Sequence, residues 1–316
     1  MLSTFWFIFS TVILPVFLQI CIGFAVQRKL RFDLRTLSQI QLYVMLPAML
    51  FIKIYQSDIA GALASRIILS SVAIYLIMTA IGLAAARILH FKKPMCSAFT
   101  NTVSMYNSGN YCIPLMQLLY NANPFVMSVQ AIIMTVQNVI VSTVGIFAAS
   151  AGSNSNTNAS DGIKKALKSV LKIPMIHAAA IAVILKLCAV PVWEPIVSTV
   201  DIISSGIVPV ALFTLGTQLA QVKISFGDYR IYISNFIKLI IAPIVAFAVI
   251  PLFGITGITA QIVMITASAP TAVNVLILSI QYNNEPEYIG KTVFSSTVLS
   301  CITVTAVIYI SQIVFA

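Results

Sequence analysis

Apolar runs of about 20 residues recur from one end of this chain to the other, and each is the length a helix needs to cross a bilayer. Composition fits that reading. Hydrophobic residues make up 59% of the chain and charged residues 8%, whereas an ordinary soluble domain carries roughly a quarter charged residues. There is too little polar surface to coat a water-soluble globule, and no stretch stands out as soluble.

The net charge of +10 does not indicate a nucleic-acid binder. The basic residues form no single patch but short clusters between apolar runs, as lysine and arginine do in cytoplasmic loops. The five cysteines, Cys21, Cys96, Cys112, Cys188 and Cys301, all lie inside apolar runs. Their spacing matches neither a metal site nor a disulfide framework, and they read as small buried residues. The N-terminus lacks a basic n-region and a small-residue cleavage pattern, so no signal peptide is expected. Instead the run 5–26, followed by Gln27-Arg28-Lys29, reads as a first span entered from outside.

Ten spans are expected, at about 5–26, 37–56, 67–89, 95–120, 125–149, 173–190, 195–221, 230–251, 257–282 and 290–315. The long polar stretch 151–172 contains Gly-Ser-Asn-Ser-Asn-Thr-Asn and four lysines. It reads as a flexible cytoplasmic linker between two five-helix halves, 1–150 and 173–316. The acceptor-like Asn158-Ala159-Ser160 is discounted on that side of the membrane.

Orientation follows from the loops. Arg28, Lys29, Arg31 and Arg35 fall between spans 1 and 2, and Arg87, Lys92 and Lys93 between spans 3 and 4. Lys164, Lys165, Lys168 and Lys172 follow span 5, Lys223 and Arg230 follow span 7, and Lys291 follows span 9. The positive-inside bias therefore places these loops in the cytoplasm and both termini outside, in an inner cell membrane. Two halves of five spans then have opposite topology. Internal echoes agree: Pro47 and Pro209, Pro15 and Pro174, and Pro114 and Pro270 lie 162, 159 and 156 residues apart. Inverted repeats of this kind mark secondary transporters.

Spans 4 and 9 are poor helices at their midpoints. Span 4 reads Asn107-Ser108-Gly109-Asn110-Tyr111-Cys112-Ile113-Pro114, and span 9 reads Ala269-Pro270-Thr271-Ala272-Val273-Asn274. Proline removes a backbone donor and clashes with the preceding turn. A half-helix starting at mid-membrane presents unpaired N–H groups and partial positive charge, which suits an anion such as a carboxylate. The candidate substrate-binding residues are Asn107, Ser108, Asn110, Pro114, Pro270, Thr271, Asn274 and Lys238. The plainer alternative is two packed kinks whose asparagines bond across helices.

Lys238 lies well inside span 8, where a charge costs roughly 3 kcal/mol or more. Three roles are open to it: neutralising an anionic substrate, pairing with an acid, or snorkelling to the interface. Asp201 reads as a cation-coupling group or as a partner for Lys186 or Lys53. His177 reads as a packing residue rather than a proton relay. Neither break contains Asp or Glu, so a polar substrate site is expected, with the coupling proton or sodium ion undetermined and no cofactor or metal required. The chain shows no His-Glu-x-x-His or Gly-x-Ser-x-Gly motif and no paired intramembrane acids, so no catalytic residue is assigned and an enzyme is not expected. The competing functional class is a passive anion channel or membrane sensor.

Through the quoted segments of spans 4 and 9, and Leu46-Pro47-Ala48-Met49-Leu50-Phe51 in span 2, the chain resembles the auxin efflux carrier family over essentially its whole length. That family includes plant auxin exporters and bacterial carriers of malate, malonate and other organic acids; the short linker matches the bacterial form. The resemblance implies an all-α membrane fold of two inverted five-helix repeats, with spans 4 and 9 crossing at Pro114 and Pro270, beside Asn110 and Asn274, as in sodium–proton antiporters and bile-acid symporters. It further implies a scaffold of spans 1, 2, 6 and 7, a moving unit of spans 3–5 and 8–10, and a homodimer joined through the scaffold. The expected function is carriage of small organic anions, mono- or dicarboxylates.

Overall fold

The computed structural model describes residues 2–57, 59–152, 173–222 and 227–316. The expected linker 151–172, with its four lysines, falls almost wholly outside the described residues, as does Lys223. Among the described residues every regular element is a helix, apart from one isolated antiparallel bridge.

Seven helices among the described residues are long and apolar enough to cross a membrane: α1 (Thr4–Leu30), α2 (Leu34–Tyr55), α3 (Gly61–Ile88), α6 (Pro124–Ala149), α8 (Glu194–Leu219), α9 (Tyr229–Phe253) and α12 (Pro286–Val314). The remaining three expected spans take another form. Span 6 is the shorter α7 (Pro174–Leu187). Span 4 is split into α4 (Lys93–Ser104) and α5 (Cys112–Leu119), and span 9 into α10 (Gly257–Ala267) and α11 (Val273–Tyr282).

Local chemistry sets the helix ends. Asp33 caps α2 by accepting from the Arg35 and Thr36 amides, Asn123 caps α6, and Asp228 caps α9; such side chains satisfy amides that the first turn leaves orphaned. Proline occupies the first turn of α4, α6, α7, α8 and α12, where its missing N–H costs nothing. Inside the spans proline acts differently. Pro15, Pro47 and Pro243 each stand two residues after a π turn, at Phe9–Ile13, Gln41–Met45 and Ile237–Ile241. The ring clashes with the carbonyl four residues back, which lies in that turn, and the widened ladder accommodates it.

The tightest helix pair is α1 against α8, and α2 packs on α7. Glycine sets the first approach. A methyl group on Gly216 would stand 2.1 Å from the Ile20 carbonyl oxygen, and one on Gly23 would stand 2.3 Å from that of Phe213. Small residues at such crossings are what hold membrane helices together, since lipid supplies no hydrophobic drive between them. Around this frame α3 packs on α4, α6 and α9, α6 also packs on α10, and α12 packs on α9, α10 and α11. Trp6, Phe7, Leu18, Leu76, Ile184 and Leu252 point outward, as a lipid-facing surface requires.

The Arg230 guanidinium donates to both carboxylate oxygens of Asp228, at 2.7 to 3.0 Å. These bonds hold the Asp228 carboxyl below the usual carboxylate range. A carboxylate depressed in the folded state stabilises above its unfolded pKa, and the contribution is lost as pH falls through the folded value. We therefore expect Asp228→Asn, which keeps the cap and removes the charge, to lower the melting temperature at pH 7 by the equivalent of at most about 1 kcal/mol, the pair being partly solvated. The gap between the two proteins should close below about pH 4. A gap of constant size across that range in detergent-solubilised protein would show that the charge contributes nothing.

Candidate functional site

A helix stays intact while each N–H reaches the carbonyl four residues back, and both split spans fail this at mid-length. The first interruption covers residues 105–111 and the second 268–272. Freed backbone groups inside a membrane need partners within the protein, and here the two interruptions supply one another. Tyr106 and Thr271 form the antiparallel bridge. The Asn107 amide donates to the Pro270 carbonyl at 2.9 Å, and the Ala272 amide to the Met105 carbonyl at 3.1 Å. The two broken spans therefore cross, held by main-chain bonds.

Side chains lock the crossing from three sides. The Thr271 hydroxyl donates to the Thr102 carbonyl at 2.9 Å, and its amide donates to the Ser296 hydroxyl at 3.2 Å. Gln130 of α6, fully buried, donates from Nε2 to the Ser108 carbonyl at 2.9 Å and accepts from the Thr266 hydroxyl at 2.7 Å. It ties the first interruption to the last turn of α10.

Beside the crossing lies a cavity of about 110 Å³. Asn107, Ser108 and Asn110 line it from the first interruption and Asn274 from the start of α11; Gln41, Gln137, Asn138 and Gln218 reach it from packed helices. Gln41 Nε2 donates to Asn110 Oδ1 at 2.6 Å. Three buried amides keep unused capacity: Asn107 through Nδ2, Gln137 through both terminal atoms, and Gln218 through Oε1. An unpaired buried amide atom costs about 1–3 kcal/mol, so a wall with several is arranged for a polar occupant.

Charge in the cavity comes from the backbone. Among the described residues lining it there is neither an acid nor a base. α5 and α11 both begin at it, and no side chain caps either start. The Cys112 and Ile113 amides at the α5 start donate to the Asn107 and Gly109 carbonyls, each at 3.2 Å, so what the two starts share is the partial positive charge of a helix N-terminus, roughly half a unit each. The cavity continues past Ser38, Leu42, Gln218, Val273 and Ile277 into a wider, mainly apolar vestibule of about 690 Å³. The vestibule runs between α2 and α8 on one side and α11 and α12 on the other, and reaches Arg35, Gln221 and Glu287.

The structure brings Asn107, Ser108, Asn110 and Asn274 together on the cavity wall. Pro270 and Thr271 are buried in the crossing backbone, and Pro114 is buried in the first turn of α5; none of the three lines the cavity. Lys238 is 1% exposed and does not snorkel, and among the described residues it pairs with no acid. Its Nζ lies 3.3 Å from the Ala267 carbonyl oxygen and 4.9 Å from the centre of the Tyr106 ring, so Tyr106 separates it from the cavity. Asp201 is exposed on α8, and no ion pair joins it to Lys186 or Lys53. Sequence reasoning missed Gln41, Gln130, Gln137, Asn138 and Gln218. The available signal was an amide side chain inside a mainly apolar run, which costs too much in lipid to face outward.

Known proteins match this chain along most of its length. The family model described as membrane transport protein matches residues 8–309. An "Uncharacterized transporter" of Methanothermobacter thermautotrophicus is 22% identical over 275 residues, 86% of this chain and 87% of that protein. An "Uncharacterized transporter" of Methanocaldococcus jannaschii is 26% identical over 146 residues, and there the match spans 45% of this chain and 47% of the relative. A "Putative malonate transporter" of Rhizobium meliloti is 30% identical over 117 residues, 37% of each chain. Both interruptions and all the helices that surround the cavity fall within the matched residues, and the chain belongs to the membrane transport protein family, that of the auxin efflux carriers.

Proposed function

We propose that this protein is a secondary carrier of small organic anions, mono- or dicarboxylates, which moves them by alternating access at the crossing of its two broken spans. The observation that carries this reading is the cavity: two helix starts without a side-chain cap and several unpaired side-chain amides converge on it, and among the described residues no acid lines it to repel an anion. Its volume of about 110 Å³ suits an acid of a few carbons. The Rhizobium relative's name points to the same substrate class.

The pairing of α1 with α8 and of α2 with α7 supports an inverted-repeat scaffold of spans 1, 2, 6 and 7. On this reading the chain makes ten crossings, with α4 plus α5 and α10 plus α11 each making one. The vestibule opens beside Arg35 and the loops that carry most of the lysines and arginines. By the positive-inside bias that side is the cytoplasm, and the conformation faces inward. Alternation would slide the crossing along the α2–α8 wall, which accounts for the mainly apolar surface between them.

The test is exchange of labelled malonate or malate by purified protein in liposomes. Wild type should exchange at least one of them above empty vesicles. Asn110→Ala and Asn274→Ala should each reduce the rate by about tenfold or more, the loss expected when roughly 1.4 kcal/mol of substrate binding is removed. Wild-type exchange by both variants would move the site elsewhere.

A further inference from the structure

Lys238 is one of the largest fully buried side chains in the protein. A buried ammonium needs compensating negative charge. Among the described residues no carboxylate pairs with it; the ion pairs are Arg230–Asp228 and Lys291–Glu287. Its compensation comes from the backbone. Ala267 is the last residue of α10, and its carbonyl accepts from Nζ at 3.3 Å. Helix ends of this kind carry about half a unit of negative charge each, and α4 ends at the same crossing, at Ser104. Two such ends amount to about one negative charge, which one ammonium balances.

The other neighbour is the face of Tyr106, in the first interruption, 4.9 Å from Nζ to the ring centre. One ammonium thus touches both broken spans, at a carbonyl end and an aromatic face, which are the groups that would hold a free monovalent cation. Lys238 reaches this place from the π turn Ile237–Ile241, two residues before Pro243. Positive helix starts meet the cavity in front of Tyr106 and the lysine sits behind it, so the crossing holds an anion site and a filled cation site back to back.

We propose that the crossing contains a monovalent-cation site filled by the Lys238 side chain, so that the native carrier needs no inorganic coupling cation. Removal of the side chain would open that site to a small free cation. The cation site rests on the proposed transport reading only where transport is the readout; its occupancy is tested separately by stability.

The experiment uses full-length wild type, Lys238→Ala and Lys238→Met, in detergent and in liposomes. Wild-type exchange should be the same within about twofold in sodium, potassium and choline buffers. Lys238→Ala in choline should melt lower and exchange at least about tenfold more slowly. Methylammonium or sodium at tens of millimolar should restore part of both, since a ligand that binds only the folded state stabilises it by mass action. Lys238→Met fills the space without the charge; it should fold, lose exchange, and gain nothing from either cation.

The proposal is overturned if Lys238→Met exchanges like wild type or if wild type requires sodium. It is also overturned if no small cation raises the melting temperature of Lys238→Ala above its effect on wild type, or if Lys238→Ala fails to fold in methylammonium while Lys238→Met folds. Should wild type move no carboxylate at all, the transport reading fails, yet cation-dependent stabilisation confined to Lys238→Ala still supports the cation site.

Discussion

Adding one methyl group at Gly216 is expected to lower the melting temperature of the detergent-solubilised protein by roughly 5–10 °C, the shift that about 2–3 kcal/mol produces in a chain of this size. The new Cβ would lie 2.1 Å from the Ile20 carbonyl oxygen and 2.8 Å from the Phe24 amide nitrogen. Both obstacles are backbone, so no side chain can turn aside, and α1 and α8 must separate by about an ångström. Close packing is what holds helices together in lipid, and a gap of that size already forfeits a quarter to a half of each contact it opens. Gly23→Ala makes the reciprocal clash with Phe213. Both changes force the same separation, so the double variant should lose less than the sum of the singles. Gly61→Ala, where nothing lies within 4 Å, is the neutral control. A shift under about 2 °C for Gly216→Ala would mean the pair yields without cost, against the overpacking expected.

Gln130→Leu is expected to cut anion exchange by about tenfold or more while leaving the protein folded, because misplacement by an ångström is enough for a loss of that order. Leucine fills the volume but leaves the Ser108 carbonyl and the Thr266 hydroxyl without their partner. Each orphaned group costs about 1–3 kcal/mol by the soluble-protein measure, but bonds between membrane helices average nearer 0.6 kcal/mol. The membrane figure governs here, so stability should drop by only about 1–2 kcal/mol. The larger effect is on position: Ser108 lines the cavity and Thr266 lies in the last turn of α10. Thr266→Val breaks one of the same two bonds, so its effect and that of Gln130→Leu should not add. Exchange at the wild-type rate by Gln130→Leu would show that the crossing holds its geometry through backbone bonds alone.

Much of this protein was legible residue by residue. The apolar runs indicated helices of bilayer length, and seven described helices have it. The Asn-Ser-Gly-Asn and Ala-Pro-Thr segments indicated interruptions, and helices end and restart on either side of both. These features are local, because a helix forms or fails within one turn, by the bonds its own residues can make. Asn107, Ser108, Asn110 and Asn274 reached the cavity wall for the same reason: they flank the interruptions themselves.

Other assignments depended on neighbours in other helices, 25 and 169 residues away in the case of Thr271. Thr271 turned into the crossing, because Thr102 and Ser296 offer it partners there. Gln41, Gln137 and Gln218 lie in three different helices, and nothing in their own segments says that they meet. Lys238 had three open roles because its depth is readable and its direction is not: which way it points depends on helix phase and on the π turn before Pro243. Sequence by itself determined where backbone hydrogen bonding along each span persists and where it lapses. Only the tertiary structure decided how the lapses pair, which amides are left unpaired around them, and that a lysine faces the carbonyl end of α10, since these follow from packing between helices distant in the chain.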